Sequence, residues 1–285
     1  MGIFSKVLLA NGLNAESIAF IKTLIAFLLV SLILFRHPLK TQLNAIQANF
    51  SSSATLLAKI AFCAFLGIFV MFIFETSAYQ YGQAANVIVV LMAASAVFSL
   101  VGGWLLLSER IHFFAIIGTF SAILGIFIIS WSGMEQWKAI VLALIAGAGY
   151  GFFSVFMQKF HLQGGLAFTQ FLMLFGSLYL FIPFIRNLPD IHWSFPVTMN
   201  LLALAILPTL LGFFCTTKAL SYLSAVKVQV TELSEPLFAM LLAWLFWGEF
   251  PSYAFYVGAF FIIVGIVLIN QMIFKPKTAK QSSSE

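Results

Sequence analysis

Two charged residues stand alone inside long apolar stretches of this sequence. Glu75 interrupts GIFVMFIFETSAYQ, and Lys218 interrupts TLLGFFCTTKALSY. A carboxylate and an ammonium group are costly to hold in apolar surroundings unless each has a partner. We therefore expect the two charges to meet, either as a structural ion pair or as the two poles of a site that binds a ligand carrying both charges.

Further polar side chains are suited to contact a small organic molecule. Lys22 lies about two turns inside the apolar stretch IAFIKTLIAF, where it either faces a cavity or extends along its helix toward the interface. Charged, hydroxyl and amide groups of this kind can orient a ligand within a mainly apolar site. The candidate ligand-binding residues are Lys22, Glu75, Tyr79, Asn86, Tyr150, Thr217, Lys218 and Gln229.

A second pair of carboxylates offers a different chemistry. Glu232 and Glu235 are three residues apart, so they share one face of a helix. Two carboxylates close together in a low dielectric favour retention of a proton by one of them. Glu75, Glu232 and Glu235 are therefore candidates for proton coupling. The alternative is that Glu232 and Glu235 are simply hydrated, because they lie near the expected end of their helix.

The composition places these residues in a membrane. Hydrophobic residues make up 62% of the 285 positions and charged residues only 8%, too few to cover a soluble protein. A helix needs about 20 apolar residues to cross a bilayer core of about 30 Å. Blocks of that length predict nine complete spans, near residues 15–35, 55–78, 84–107, 112–131, 138–160, 166–186, 198–221, 226–248 and 252–274. The segment GIFSKVLLA before them predicts a shortened first helix. The net charge of +5 is interpreted as a topology signal, not as a nucleic-acid-binding surface.

The sequence contains an internal repeat. A shift of 140 residues superposes two equally spaced sets, Glu109, Gly118 and Gly125 on Glu249, Gly258 and Gly265. We interpret the chain as two copies of one unit, residues 1–131 and 138–274, with a disordered cytoplasmic tail over 275–285. Each copy has five spans when the short first helix is counted, so the second copy is inverted. Most basic residues then lie at cytoplasmic ends, and both termini are cytoplasmic.

The repeated glycines and glutamates have a structural explanation. Glycines seven residues apart lie on one helical face and allow two helices to approach closely in lipid. We therefore expect Gly118, Gly125, Gly258 and Gly265 to be packing positions. Glu109 and Glu249 fall at helix ends, where they serve as caps or interfacial ion-pair partners.

The stretch EPLFAMLLAWLFWGE, residues 235–249, followed by Gly258 and Gly265, resembles the EamA-type transporters of the drug/metabolite transporter superfamily. The resemblance covers nearly the whole chain and implies an all-α polytopic membrane protein, a ten-helix bundle of two inverted five-helix repeats. Pro236 ahead of Glu249 fits the pattern of these proteins. The first copy keeps Glu109 but has Ser95 in place of the proline.

The resemblance also implies a function. It indicates a secondary transporter in a bacterial cytoplasmic (inner) membrane that exports small metabolites such as amino acids. From the inverted copies we expect alternating access, and we further expect a monomer or homodimer without a cofactor. Uptake or exchange of a nucleotide-like metabolite is the alternative. An integral-membrane enzyme is less favoured, because the histidines lie in breaks or at helix ends and neither H-E-x-x-H nor G-x-S-x-G occurs to supply a metal site or a nucleophile.

Overall fold

The computed structural model describes residues 2–48, 52–108, 113–130, 136–188, 193–235, 237–238 and 253–271. These residues form helices joined by short connections. The helices are α1 (Gly2–Ala10), α2 (Ala15–Leu34), α3 (Leu39–Ile46), α4 (Ser53–Ala64), α5 (Met71–Tyr81), α6 (Ala84–Leu107), α7 (Phe113–Ser130), α8 (Trp137–Lys159), α9 (Leu166–Arg186), α10 (Phe195–Leu204), α11 (Phe213–Leu220), α12 (Ala225–Glu232) and α13 (Tyr253–Gln271). Two π-helical segments, Phe65–Val70 and Ala205–Gly212, join α4 to α5 and α10 to α11.

The prediction of an all-α polytopic membrane protein is confirmed. Within the described part of the chain, six helical stretches are long and apolar enough to cross a bilayer: Ala15–Leu34, Ser53–Tyr81, Asn86–Leu107, Trp137–Lys159, Leu166–Arg186 and Phe195–Leu220. Two shorter apolar helices, Phe113–Ile128 and Tyr253–Ile269, follow the same composition. Helix α1 has nine residues, fewer than a span requires. Of the span expected near 226–248, residue 236 and residues 239–248 lie outside the described residues.

Local signals define the ends of the helices that carry the candidate residues. Helix α2, which carries Lys22, begins after Asn14, whose Oδ1 accepts a hydrogen bond from the Ser17 N–H at 2.8 Å. Such a cap satisfies a backbone donor that has no partner within the helix. Helix α5, which carries Glu75, ends where Gly82 adopts an extended conformation.

The chain divides by packing into two units. The larger unit contains residues 1–109 and 130–229, and the smaller contains residues 110–129 and 230–285. In the larger unit, α8 packs against both α6 and α5, and α2 packs against α9 and α5. All candidate ligand-binding residues belong to the larger unit.

Glycines bring α8 close to its neighbours in the larger unit. A Cβ atom on Gly151 would lie 2.6 Å from the carbonyl oxygen of Ser95 in α6, and one on Gly149 would lie 2.9 Å from the carbonyl oxygen of Leu66. Neither position can hold a side chain without a backbone shift. Tyr150, between these glycines, is therefore held where α8 is in close contact with helices on both sides.

The two π-helical segments occupy corresponding places in the sequence. A shift of 141 residues, one more than the shift that superposes the repeated glycines, carries residues 65–70 onto 206–211, within the second segment. Pro208 in that segment has no N–H and cannot continue an α-helical hydrogen-bond ladder. A π turn contains one residue more than an α turn and is frequent at functional sites. Each segment leads directly into a short helix, α5 or α11, that carries candidate residues.

The smaller unit contains the four repeated glycines. A Cβ atom on Gly118 in α7 would lie 2.8 Å from the Gly265 carbonyl oxygen in α13, and one on Gly125 would lie 2.5 Å from the Gly258 carbonyl oxygen. The earlier glycine of α7 thus meets the later glycine of α13, which makes the two helices antiparallel. The backbones touch at these positions, as packing through glycine requires.

Candidate functional site

Lys22 and Glu75 are both buried inside the larger unit, close enough to interact electrostatically. The Lys22 side chain is fully buried and Glu75 is only 3% exposed. The two groups attract each other electrostatically. The Lys22 Nζ atom also lies 3.6 Å from the centroid of the Phe72 ring, one turn before Glu75 on α5. The buried ammonium group is therefore stabilised by both a carboxylate and the face of an aromatic ring.

The carboxylate of Glu75 has one oxygen engaged and one available. The Tyr79 hydroxyl donates a hydrogen bond of 2.8 Å to Glu75 Oε1 from one turn further along α5. Glu75 Oε2 is buried and accepts no hydrogen bond from the described residues. Because an ionised carboxylate accepts several hydrogen bonds, Oε2 has capacity for a donor on a bound molecule.

Aromatic rings connect this charged pair to the second half of the chain. The ring of Phe72 packs edge-to-face against Phe213 with centroids 5.5 Å apart, and Phe213 lies 6.0 Å from the Tyr150 ring. The Tyr150 hydroxyl is 3.4 Å from Thr216 Oγ1. Phe213 and Thr216 correspond to Phe72 and Glu75 under the shift of 141 residues, so repeat counterparts touch each other here.

The structure brings only part of the expected set together. Gln229 is buried, and its Nε2 donates to Ser154 Oγ at 2.8 Å, while Ser154 Oγ donates to the Tyr150 carbonyl oxygen at 3.1 Å. The buried Thr217 donates at 3.2 Å to a carbonyl of its own helix. Asn86 is buried near the start of α6.

Lys218 does not lie beside Glu75. It is exposed in the last turn of α11, with its ammonium group 5.5 Å from the Tyr222 ring centroid. The expected meeting of Glu75 with Lys218 is therefore not what the structure shows, and Lys22 occupies that place. The physical reason is helix packing: α2 lies against α5, whereas Lys218 is at a helix end from which a long side chain reaches polar surroundings.

The second carboxylate pair is less enclosed than the first. Glu232, at the end of α12, is half-buried, and Glu235 is exposed. Both side chains have interaction partners. The exposure of Glu235 favours the hydrated alternative for that residue, whereas Glu232 stays a candidate for proton coupling. The expected structural residues Glu109, Pro236 and Glu249 lie outside the described residues.

Sequence reasoning did not single out Phe72 and Phe213 as parts of the site. The chain has 34 phenylalanines, and nothing in either local sequence separates these two from the rest. The usable signal is the repeat itself, because the shift that relates Glu75 to Thr216 also relates Phe72 to Phe213.

The apolar helices and the buried charges define an integral membrane protein of the helical-bundle class. The chain belongs to the EamA-like transporter family, which it matches over residues 1–131 and again over residues 137–271. This confirms the resemblance seen in the sequence. The family indicates a transporter rather than an enzyme.

Individual proteins agree with this assignment. The chain is 26% identical over 225 residues to an uncharacterized transporter of Clostridium kluyveri, covering 74% of this chain and 71% of that protein. It is 26% identical over 230 residues to a probable terminal-alkyne amino-acid exporter of Streptantibioticus cattleyicolor, covering 75% and 73%. A solved crystal structure shares the fold with a TM-score of 0.72 at 15% identity, over 95% of this chain and 96% of that one.

Proposed function

We propose that this protein is a secondary active transporter that exports small zwitterionic metabolites, amino acids above all, across a bacterial cytoplasmic membrane. The observation that carries the proposal is the buried pair of Lys22 and Glu75, in which Glu75 Oε2 accepts no hydrogen bond from the described residues. Ionisable groups in membrane helices are costly and mark substrate or ion pathways.

The charges of the pair match a zwitterion. The carboxylate of an amino acid would bind the Lys22 ammonium group, and its ammonium group would donate to Glu75 Oε2. The two side chains together carry no net charge, and neither does the ligand, so the loaded site holds no uncompensated charge in the low dielectric. A phosphorylated metabolite would bring its negative charges next to Glu75, which disfavours a nucleotide-like substrate. The amino-acid exporter among the similar proteins supports the same substrate class.

The repeat supports alternating access as the mechanism. If residues 1–131 and 138–274 are inverted copies, a residue touches its counterpart only near the axis that relates the copies. Phe72 and Phe213 are such a pair, and Lys22 lies directly against Phe72. The proposed site is thus central, where the rocking of inverted halves exposes it to each side in turn. Both termini are cytoplasmic in this proposal.

A counterflow assay on reconstituted protein tests the proposal. Labelled zwitterionic amino acids are compared with analogues that lack the ammonium group or lack the carboxylate. We expect accumulation of the zwitterions and little flux of either analogue. The Lys22→Met variant keeps a side chain of similar length without the charge, and it should reduce zwitterion flux about tenfold or more. Lys159→Met, on an exposed lysine 5.9 Å from the Phe156 ring, is the matched control. Equal flux of all three ligand classes, or unchanged flux in Lys22→Met, would refute the proposal.

A further inference from the structure

We infer that Tyr79 is a positioning residue, which holds the Glu75 carboxylate so that Oε2 receives the ammonium group of the substrate. This inference rests on the proposed zwitterion site. It assigns to Tyr79 a role through Glu75 instead of the direct contact with ligand expected from the sequence.

The first observation is the hydrogen bond itself. The Tyr79 hydroxyl donates to Glu75 Oε1 at 2.8 Å, and both side chains are buried, Tyr79 being 2% exposed. A hydrogen bond to an ionised group is stronger than one between neutral groups, and it gains further from a low dielectric. The carboxylate is thereby held by one oxygen, and the other remains for the ligand.

The second observation is that the Tyr79 ring is itself held in place. Helix α1 approaches α5 and α6 at Gly2, where a Cβ atom would lie 3.3 Å from Tyr79 Cε1 and 2.8 Å from Ala84 Cβ. Only a residue without a side chain allows this approach. With α1 against one edge of the ring, the hydroxyl cannot swing freely away from Glu75.

The third observation is that Lys22 has a contact of its own on α5. Its Nζ atom lies over the Phe72 ring, 3.6 Å from the centroid. Two neighbours on α5 thus contact the two charges, Phe72 the ammonium group and Tyr79 the carboxylate. Loss of the Tyr79 hydroxyl should free the carboxylate to turn toward Lys22 with both oxygens, which would close the position meant for the substrate ammonium group.

The Tyr79→Phe variant tests this role, because it removes one oxygen atom and keeps the ring. Equilibrium binding of a zwitterionic amino acid and of its N-acetylated form is measured on purified full-length protein. We expect zwitterion affinity to fall about tenfold, with affinity for the N-acetylated form unchanged. Tyr179→Phe is the matched control, since Tyr179 loses the same atom while its ring packs on Phe65 and Phe69.

A double-mutant cycle separates positioning from a general structural role. In the Glu75→Gln background, Tyr79→Phe should cause little further loss of zwitterion binding if Tyr79 acts through the carboxylate.

The outcomes are distinguishable. Normal zwitterion binding by wild-type protein together with an unaffected Tyr79→Phe variant would overturn this inference alone. Equal losses for the zwitterion and its N-acetylated form, or additive losses in the cycle, would also overturn it, because both indicate disruption of the fold. Failure of wild-type protein to bind any zwitterion would overturn the proposed function and this inference with it.

Discussion

Replacement of Glu75 by glutamine removes one charge of the buried pair while keeping the shape of the side chain. The change leaves the fully buried Lys22 ammonium group with the Phe72 ring, 3.6 Å from its Nζ atom, but without the carboxylate. The Tyr79 hydroxyl can still donate to the amide oxygen at position 75. The variant therefore isolates the effect of an uncompensated charge.

The magnitude follows from the burial of both groups. Removing one partner of a buried ion pair typically costs about 3–5 kcal/mol, whereas removing both is often neutral or stabilising. A desolvated cation over an aromatic face retains roughly 2 kcal/mol, so we expect Glu75→Gln to lower the free energy of unfolding by about 3 kcal/mol, the lower end of that range. The double variant Lys22→Met with Glu75→Gln should return to within about 1 kcal/mol of the wild type.

Reversible unfolding in mixed micelles measures the free energy of unfolding of four proteins under one condition. They are the wild type, the single variants Lys22→Met and Glu75→Gln, and the double variant. The result that would refute the reasoning is a double variant no more stable than Glu75→Gln, because the cost would then come from lost packing and not from the stranded charge. A Glu75→Gln variant as stable as wild type would show that Lys22 does not depend on Glu75.

Two further expectations concern residues of the smaller unit, with Gly212 of the larger unit as a control. Gly125→Leu should lower the free energy of unfolding by about 1–3 kcal/mol, because its Cβ would lie 2.5 Å from the Gly258 carbonyl oxygen. Gly212→Ala, with its nearest atom at 3.9 Å, should change it little, and equal unfolding curves for both would contradict the proposed packing. Glu232→Gln should weaken proton-driven flux in proteoliposomes more than Glu235→Gln, because only Glu232 is partly shielded from water; equal effects would argue against Glu232 as the coupling group.

The faces through which α7 and α13 pack could be predicted from the sequence, although the sequence did not show that the two helices pack against each other. Two pairs of glycines seven residues apart mark one face on each helix, and close packing in lipid depends on small residues at such a face. In the structure, Gly118 and Gly125 meet Gly265 and Gly258. Where small residues determine a helix contact, their spacing along the sequence is enough to predict the face that packs.

The partner of Glu75 could not be predicted in the same way. Helix α2 is apolar on nearly all sides, so its sequence does not indicate which face meets α5. The sequence pointed to Lys218, because it also interrupts a long apolar stretch, but that lysine lies in the last turn of α11 and is exposed. Lys22 is the partner of Glu75 because α2 packs against α5. That packing cannot be deduced from the spacing of residues along the chain.

The π-helical segment before Glu75 affects the direction in which the Glu75 carboxylate points. An α-helix turns by about 100° per residue, so the extra residue of a π turn rotates everything after it by a comparable angle. Glu75 follows Phe65–Val70 on the same continuous span, and its direction toward α2 depends on that offset. Deletion of a single residue from this segment would remove none of the candidate binding residues. It would nevertheless turn the Glu75 carboxylate to another side of its helix. The orientation of the site thus depends on the backbone conformation of a segment that lies apart from the atoms that would contact a ligand.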